Sequence, residues 1–178
     1  FEIEGADEVA VEFRSLSKTA GFTGLRCAYA IVPKKLKARA ADGTTLCLHD
    51  MWLRRQSTKY NGCPYIVQRA AEAVFSPAGQ FQIESVLNIY RGNACLMLEK
   101  LKACGLNAYG GIHSPYVWLQ TPHAMKSWDF FEILLHECAV VCTPGAGFGA
   151  SGEGYVRMTA FNSPQNTRMA LERLTLAL

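Results

Sequence analysis

The 178-residue chain has no apolar run long enough to span a bilayer, so no membrane helix is expected. It has no Cys-x-x-Cys, and its cysteine number is odd at seven. It therefore lacks the look of a small disulfide-stapled fold, and reduced thiols in a cytosol-like compartment fit best. No dense basic run occurs. With a formal charge of only +3, Lys34, Lys35, Lys37 and Arg39 read as a solvated face, and nucleic acid is not an expected partner. Repeats, low-complexity tracts and linkers are missing too. The chain opens on Phe1 without methionine, basic leader or apolar core of a signal segment, which reads as a start cut from something longer. A mature chain after processing is the second reading of that start.

What is present is ordinary globular material, 49% hydrophobic and 19% charged, enough for one domain or one and a half. Val9–Ser15 alternates and carries β-branched residues, predicting a strand that ends just before Lys18. Cys27–Val32 predicts a second, stopped by Pro33, and the loop between them holds Gly21 and Gly24. Ala38–Thr45 is polar and turn-like. Helices are expected over 50–60, closed by Asn61-Gly62, and over 64–75. Ser76-Pro77 is a cap followed by proline at the first helical position, and it opens a long helix. Its apolar stripe is Ile83, Val86, Leu87, Tyr90, Ala94, Met97, Leu98 and Leu101, ending at Gly105. Short strands follow at 106–109, 116–121, 139–143 and 155–160, with a helix over 127–137 capped by Ser127. A last helix begins at Ser163-Pro164, with Ala170, Leu171, Leu174 and Leu178 inward. Strands alternating with helices predict an α/β architecture. A lobe boundary is expected inside the long helix near Asn88, giving domains 1–88 and 89–178.

Three stretches could carry chemistry. Gly147–Gly152 (G-F-G-A-S-G) matches the dinucleotide-binding pattern letter for letter, but a strand rather than a helix follows it and no acid lies at the required distance. Those glycines instead let backbone pass close to a ligand or another loop. His136, Cys138 and Cys142 read as a helix end running into a buried strand, since a zinc site needs a fourth ligand. Arg157 stands inside an alternating strand. By default it faces solvent; from that rigid base its planar fork could also hold a carboxylate.

The third stretch is Ser15–Arg26, S-L-S-K-T-A-G-F-T-G-L-R. Ser15, Ser17 and Arg26 offer two hydroxyls and a permanent cation around Lys18, a set suited to a phosphate dianion. An amine there can act as a nucleophile towards a carbonyl. A solvated lysine in a strand–turn–strand is the other reading, and the residues alone leave both open.

The stretch resembles the lysine segment of the class I/II pyridoxal-phosphate aminotransferases, with the form S-x-S-K and an arginine eight residues after the lysine. T-P-G-A-G-F-G-A-S-G-E-G-Y-V-R-M-T-A-F resembles the same family's carboxylate-binding segment. F-E-I-E-G-A, R-R-Q-S-T-K-Y-N-G-C-P-Y and G-G-I-H-S-P-Y-V-W-L are similar to the branch acting on LL-diaminopimelate. The resemblance implies fold type I, with the end of the large domain followed by the small α/β domain, as a C-terminal part. It implies pyridoxal 5'-phosphate as cofactor and Lys18 as the catalytic, cofactor-anchoring lysine. Ser15, Ser17 and Arg26 would hold the phosphate, Asn61 would lie near cofactor and substrate, and Arg157 would bind the substrate carboxylate. Asn61 read without the resemblance is a helix cap. The implied reaction is amino transfer from LL-2,6-diaminopimelate to 2-oxoglutarate, in a homodimer, with amino and keto acids as partners. A cytoplasmic or, in a plant or alga, plastid location goes with it. The family's chains are about twice as long, and the acidic partner of the pyridine nitrogen is not found here. Another fold-type I pyridoxal enzyme, or a shortened non-catalytic chain, are the alternatives. Gly110, Gly111, His113, Tyr116 and Trp118 read as a turn and packed strand, or as a wall near the site.

Overall fold

The computed structural model describes residues 1–177. The chain divides into two compact units, Phe1–Ile83 and Glu84–Leu178. The division falls inside one continuous helix, α5, Pro77–Ala103. Among the described residues no helix is long and apolar enough to cross a membrane.

The first unit holds two small antiparallel ribbons and four complete helices. A one-turn helix α1 (Ala6–Val9) leads into strand β1 (Glu12–Ser15). The expected strand over Val9–Ser15 therefore starts later, because Gly5 in the left-handed region turns the chain into α1. Ser15 caps a second one-turn helix, α2 (Leu16–Thr19), by accepting the Ser17 N–H at 3.2 Å. β2 (Ala28–Ile31) then pairs with β1, setting Ser15 opposite Ala28. The polar stretch 38–45, expected as a turn, is the tip of a hairpin between β3 (Lys37–Arg39) and β4 (Thr45–Cys47). Three-residue strands alternate too briefly for a period of two to show in sequence. α3 (Leu48–Lys59) and α4 (Tyr65–Val74) follow. The buried cluster is small: Leu16, Phe22, Cys27, Val67 and Val74.

The second unit has a four-stranded antiparallel sheet in the order β5-β6-β8-β7, made of Ala108–Gly110, Tyr116–Gln120, Tyr155–Thr159 and Thr143–Pro144 respectively. α6 (Ser127–His136) and α7 (Pro164–Ala177) complete it. One sheet face is core. Val117, Leu119, Val156 and Met158 pack in one cluster with Ala94, Met97 and Leu101 of α5, Phe130 and Leu134 of α6, and Leu171 and Leu174 of α7. Alternation along β6 and β8 puts Tyr116, Trp118, Tyr155 and Arg157 on the opposite face, where they are half-buried. Ala170 packs against the cluster, and Leu178 lies outside the described residues. In the long-helix stripe only Ala94, Met97 and Leu101 are fully covered, while Val86 is exposed.

Two expectations change here. The strand over 139–143 shortens to β7, because Ala139 takes a left-handed turn (φ 52°) and Val140 N–H closes back on Leu134 O at 2.8 Å. Ser127 is not the cap of α6. Lys126 stands at that position without a side-chain bond, and Ser127 is the first helical residue, fully buried. Its hydroxyl donates towards Gly152 O at 3.3 Å and accepts from the backbone N–H of Gly154 and Tyr155 at 3.0 and 3.3 Å. Its own N–H donates to Glu153 at 2.8 Å. Gly152 and Gly145 meet backbone to backbone, and a Cβ on either would fall well inside contact distance of the other's carbonyl oxygen.

Gly152→Ala is expected to lower the urea unfolding stability of the chain by about 3 kcal/mol, because rigid backbone lies in the way. Gly147→Ala, with open space around its Cβ, should change it by less than about 0.5 kcal/mol. The Ser127 N–H holds the Glu153 carboxyl below its ordinary 4.5. A depressed folded-state value contributes stability above pH 4.5 that is lost as the pH falls through that lower value. Thermal unfolding of Glu153→Gln should therefore show a shallower acid-side decline than the parent chain.

Candidate active site

In the first unit, Ser15, Ser17, Arg26 and Asn61 line one open depression of about 1100 Å³, together with Phe13, Tyr29, Trp52, Gln56 and Tyr60. A strand, a ribbon and a helix separate Arg26 from Asn61 in the sequence; pairing of β1 with β2 and the turn after α3 bring them to one surface. α2 has a single turn, so successive side chains diverge by roughly 100°. Ser17 faces the depression, while its neighbour Lys18 is exposed and is not among the lining residues.

Arg26 takes the left-handed conformation at φ 61°, uncommon for a residue with a Cβ. Three bonds hold it there. Its backbone N–H donates to Phe22 O at 2.9 Å, its guanidinium donates to Thr23 O at 2.7 Å, and Leu16 N–H donates to Cys27 O at 3.1 Å. Thr23 in turn donates its hydroxyl to Ser17 O at 3.0 Å. The loop 20–26 is thereby folded back on α2. Of the five guanidinium N–H donors, one is spent inside the loop. Two serine hydroxyls and this exposed cation form a donor-rich rim that fits a phosphate dianion.

Asn61 is not the cap of α3; that position is Tyr60, whose N–H bonds Gln56 O at 3.0 Å. Asn61 instead starts a short irregular segment in which Gly62 takes φ 96°. Its placement beside the serines was not readable from helix-end propensities.

In the second unit, Arg157 sits in the middle of β8, opposite Trp118 of β6 and Thr143 of β7. It is half-buried rather than solvent-facing. Its guanidinium carbon lies 4.5 Å from the centre of the Tyr116 ring and 4.7 Å from that of Phe148. Trp118 extends this aromatic surface, edge-on to Phe148 at 5.5 Å and stacked on Tyr155 at 5.5 Å. Arg157 Nε is buried without a hydrogen-bond partner among the described residues. An arginine flanked by two rings loses little rotamer freedom on binding, and an unmet buried N–H seeks an acceptor. Chemically, such an arrangement can present a planar fork to a carboxylate. Phe148 was missed from sequence, although it lies within the glycine-rich run; Tyr116 and Trp118 belong to strand β6, on the same face as Arg157.

The aminotransferase class I and II family model matches residues 1–174. The LL-diaminopimelate aminotransferase of Lawsonia intracellularis is 54% identical over all 178 residues, which make up 43% of its length. The solved L,L-diaminopimelate aminotransferase from Chlamydomonas reinhardtii has a TM-score of 0.87 and 40% identity, covering 99% of this chain and 42% of that one. An aminotransferase structure from Staphylococcus aureus gives a TM-score of 0.80 at 27% identity, covering 98% and 43%. The chain thus spans less than half the length of these relatives, and over that span it belongs to the class I and II aminotransferases.

Proposed function

We infer that the chain carries part of the machinery of a pyridoxal-phosphate-dependent amino transfer, with LL-2,6-diaminopimelate as amino donor and 2-oxoglutarate as acceptor. The carrying observation is the gathering of Ser15, Ser17, Arg26 and Asn61 around one depression, with Lys18 following Ser17 in the chain. Family membership supports the cofactor, and the names of the two diaminopimelate relatives support the substrate. Activity belongs to a longer assembly than this chain, as the relatives' length indicates.

In this reading Ser15 and Ser17 donate their hydroxyls and Arg26 its remaining N–H groups to the cofactor phosphate. Asn61 supplies an amide at the same rim. Bound there, pyridoxal phosphate supplies an electron sink that makes the α-proton of an amino acid labile. Lys18 Nζ would hold the cofactor and would move the α-proton, as base and then as acid. Arg157 receives the substrate α-carboxylate on its fork. The aromatic faces of Tyr116 and Phe148 fix the guanidinium plane, so less order has to be imposed on binding. Residues 1–88 would form the end of the large domain and 89–178 the small domain, in a cytoplasmic homodimer.

Incubating the chain with pyridoxal phosphate, reducing with borohydride and mapping peptides should place the phosphopyridoxyl group on Lys18. Lys18→Ala should abolish that adduct. Label spread evenly over Lys34, Lys35 and Lys59, with Lys18 unmodified in a folded chain, would remove Lys18 from its role. Arg157→Lys replaces a planar fork by a point charge, so apparent affinity for the amino acid should fall about tenfold, roughly 1.4 kcal/mol. Unaltered affinity by calorimetry would exclude the clamp.

A further inference from the structure

Two of the seven cysteines lie against each other beside the anion rim. Cys27 Sγ and Cys63 Sγ are 3.9 Å apart, although 36 residues separate them in the chain. Both line the depression that holds Ser15, Ser17, Arg26 and Asn61. The other five thiols have different surroundings. Cys47 points at Lys34 O, Cys95 at Glu99 and Cys104 at Thr175, while Cys138 and Cys142 belong to the core of the second unit. Burial pushes the Cys142 thiol up to about 11, which makes it a poor nucleophile.

The two members of the pair differ in access and in backbone support. Cys27 is buried at 7% exposure, and its carbonyl is held by Leu16 N–H at 3.1 Å. Cys63 is partly exposed and follows Asn61-Gly62 in a segment without helix or strand, between α3 and α4. Gly62, at φ 96°, gives that segment a hinge with no Cβ. Joining the sulfurs requires an approach from 3.9 Å to about 2.0 Å, a closure that side-chain rotation and a small shift of this segment can supply.

We propose that Cys27 and Cys63 are an oxidisable dithiol that a small disulfide, of the glutathione class, converts to an intramolecular disulfide, tying the Asn61 segment to the strand that follows Arg26. The accessible Cys63 thiolate attacks one sulfur of the oxidant. A mixed disulfide forms, and one oxidant thiol leaves with its electron pair and takes up a proton. The Cys27 thiolate then attacks Cys63 Sγ, the new S–S bond forms, and the second oxidant thiol departs. Two protein thiols are oxidised and one oxidant disulfide is reduced to two thiols. Burial, then the adjoining Cys63 thiol, pushes the Cys27 thiol up, which makes Cys63 the entry point and Cys27 the resolving partner. Closure draws the backbone after Asn61 towards the strand start, altering the rim that the phosphate would occupy. This consequence rests on the cofactor reading given above; the dithiol itself does not.

The reduced chain is incubated with oxidised glutathione, digested without reductant and mapped by mass spectrometry. A Cys27–Cys63 linked peptide, lighter by two hydrogens, is expected as the dominant linkage, and denaturing urea should scatter the linkages over other pairs. A stable glutathione adduct on Cys63 with Cys27 still reduced, or Cys27 joined to another cysteine, would overturn the pair. Borohydride capture of pyridoxal phosphate on Lys18 is read in parallel, with Cys63→Ser as the oxidant-insensitive control. Capture several-fold lower in the oxidised parent than in the reduced one supports the coupling; equal capture in both overturns it. A linked peptide with no capture in either state supports the dithiol while rejecting the cofactor reading. Capture without the linked peptide retains the cofactor reading and rejects the dithiol.

Discussion

The second unit turns on the buried hydroxyl of Ser127. A single side-chain oxygen at the start of α6 meets Gly152 O and the N–H groups of Gly154 and Tyr155. Thr121 adds a second tie, its hydroxyl reaching Met125 O and Gly154 O at 2.6 and 3.0 Å. These bonds fix the chain immediately before β8. Register then does the rest. With Tyr155 opposite Gln120, Arg157 falls opposite Trp118 and its guanidinium reaches the Tyr116 ring on the same face. A slip of one residue would send Arg157 into the hydrophobic cluster and Val156 to the outer face. The glycines serve the same end, since only residues without Cβ allow the strands of loop at 145 and 152 to touch.

Arg26 of the first unit and Arg157 of the second work under opposite constraints. Arg26 is exposed, and its side chain spends one donor on its own loop, so its field is screened by solvent. Arg157 is flanked by aromatic faces and keeps a buried N–H unmet. An unmet buried donor costs on the order of 1–3 kcal/mol in the folded chain. That cost would be recovered by an acceptor reaching Nε, so any anion affinity of Arg157 would come from the packing rather than from surface charge.

How much of this could be read in advance follows from where each signal resides. The long helix was legible because its apolar period runs over many turns and Ser76 caps it, with Gly79 N–H donating to its hydroxyl at 3.0 Å. β6 and β8 were legible for the same reason, since each alternates over five residues. The hairpin at 37–47 and the shortened β7 were not, as two or three residues carry no period and Ala139 carries no sign of its left-handed turn. Ser127 looked like a cap because a serine before an apolar run usually is one; its real partners lie some 25 residues on, beyond any local pattern. Lys18, Ser15, Ser17, Arg26 and Arg157 stood out by their chemistry with a plainer reading left open, which family resemblance decided; Asn61 came from the resemblance alone. The grouping of Ser15, Ser17, Arg26 and Asn61, the approach of Phe148 to Arg157 and the Cys27–Cys63 contact depend on tertiary placement that spacing does not encode.

The units also differ in what holds them. The second buries one continuous cluster between three helices and a sheet face, including Phe130, Leu101, Leu119 and Leu134 at full burial. The first rests on a cluster of five buried residues and two separate ribbons, while Phe13, Tyr29 and Ile31 of its β1–β2 ribbon stay exposed. An isolated two-stranded ribbon is marginal in water. The strained Arg26 conformation therefore sits where the fold has least to spare, and the Arg157 fork where it has most. A ligand that binds only the folded rim adds stability in proportion to the logarithm of its concentration over its dissociation constant, about 2.7 kcal/mol at a hundredfold excess. For the first unit that is a large share of what a small core supplies. The loop 20–26 rests on its own few hydrogen bonds over that small core, whereas Arg157 is set by the larger core behind its sheet.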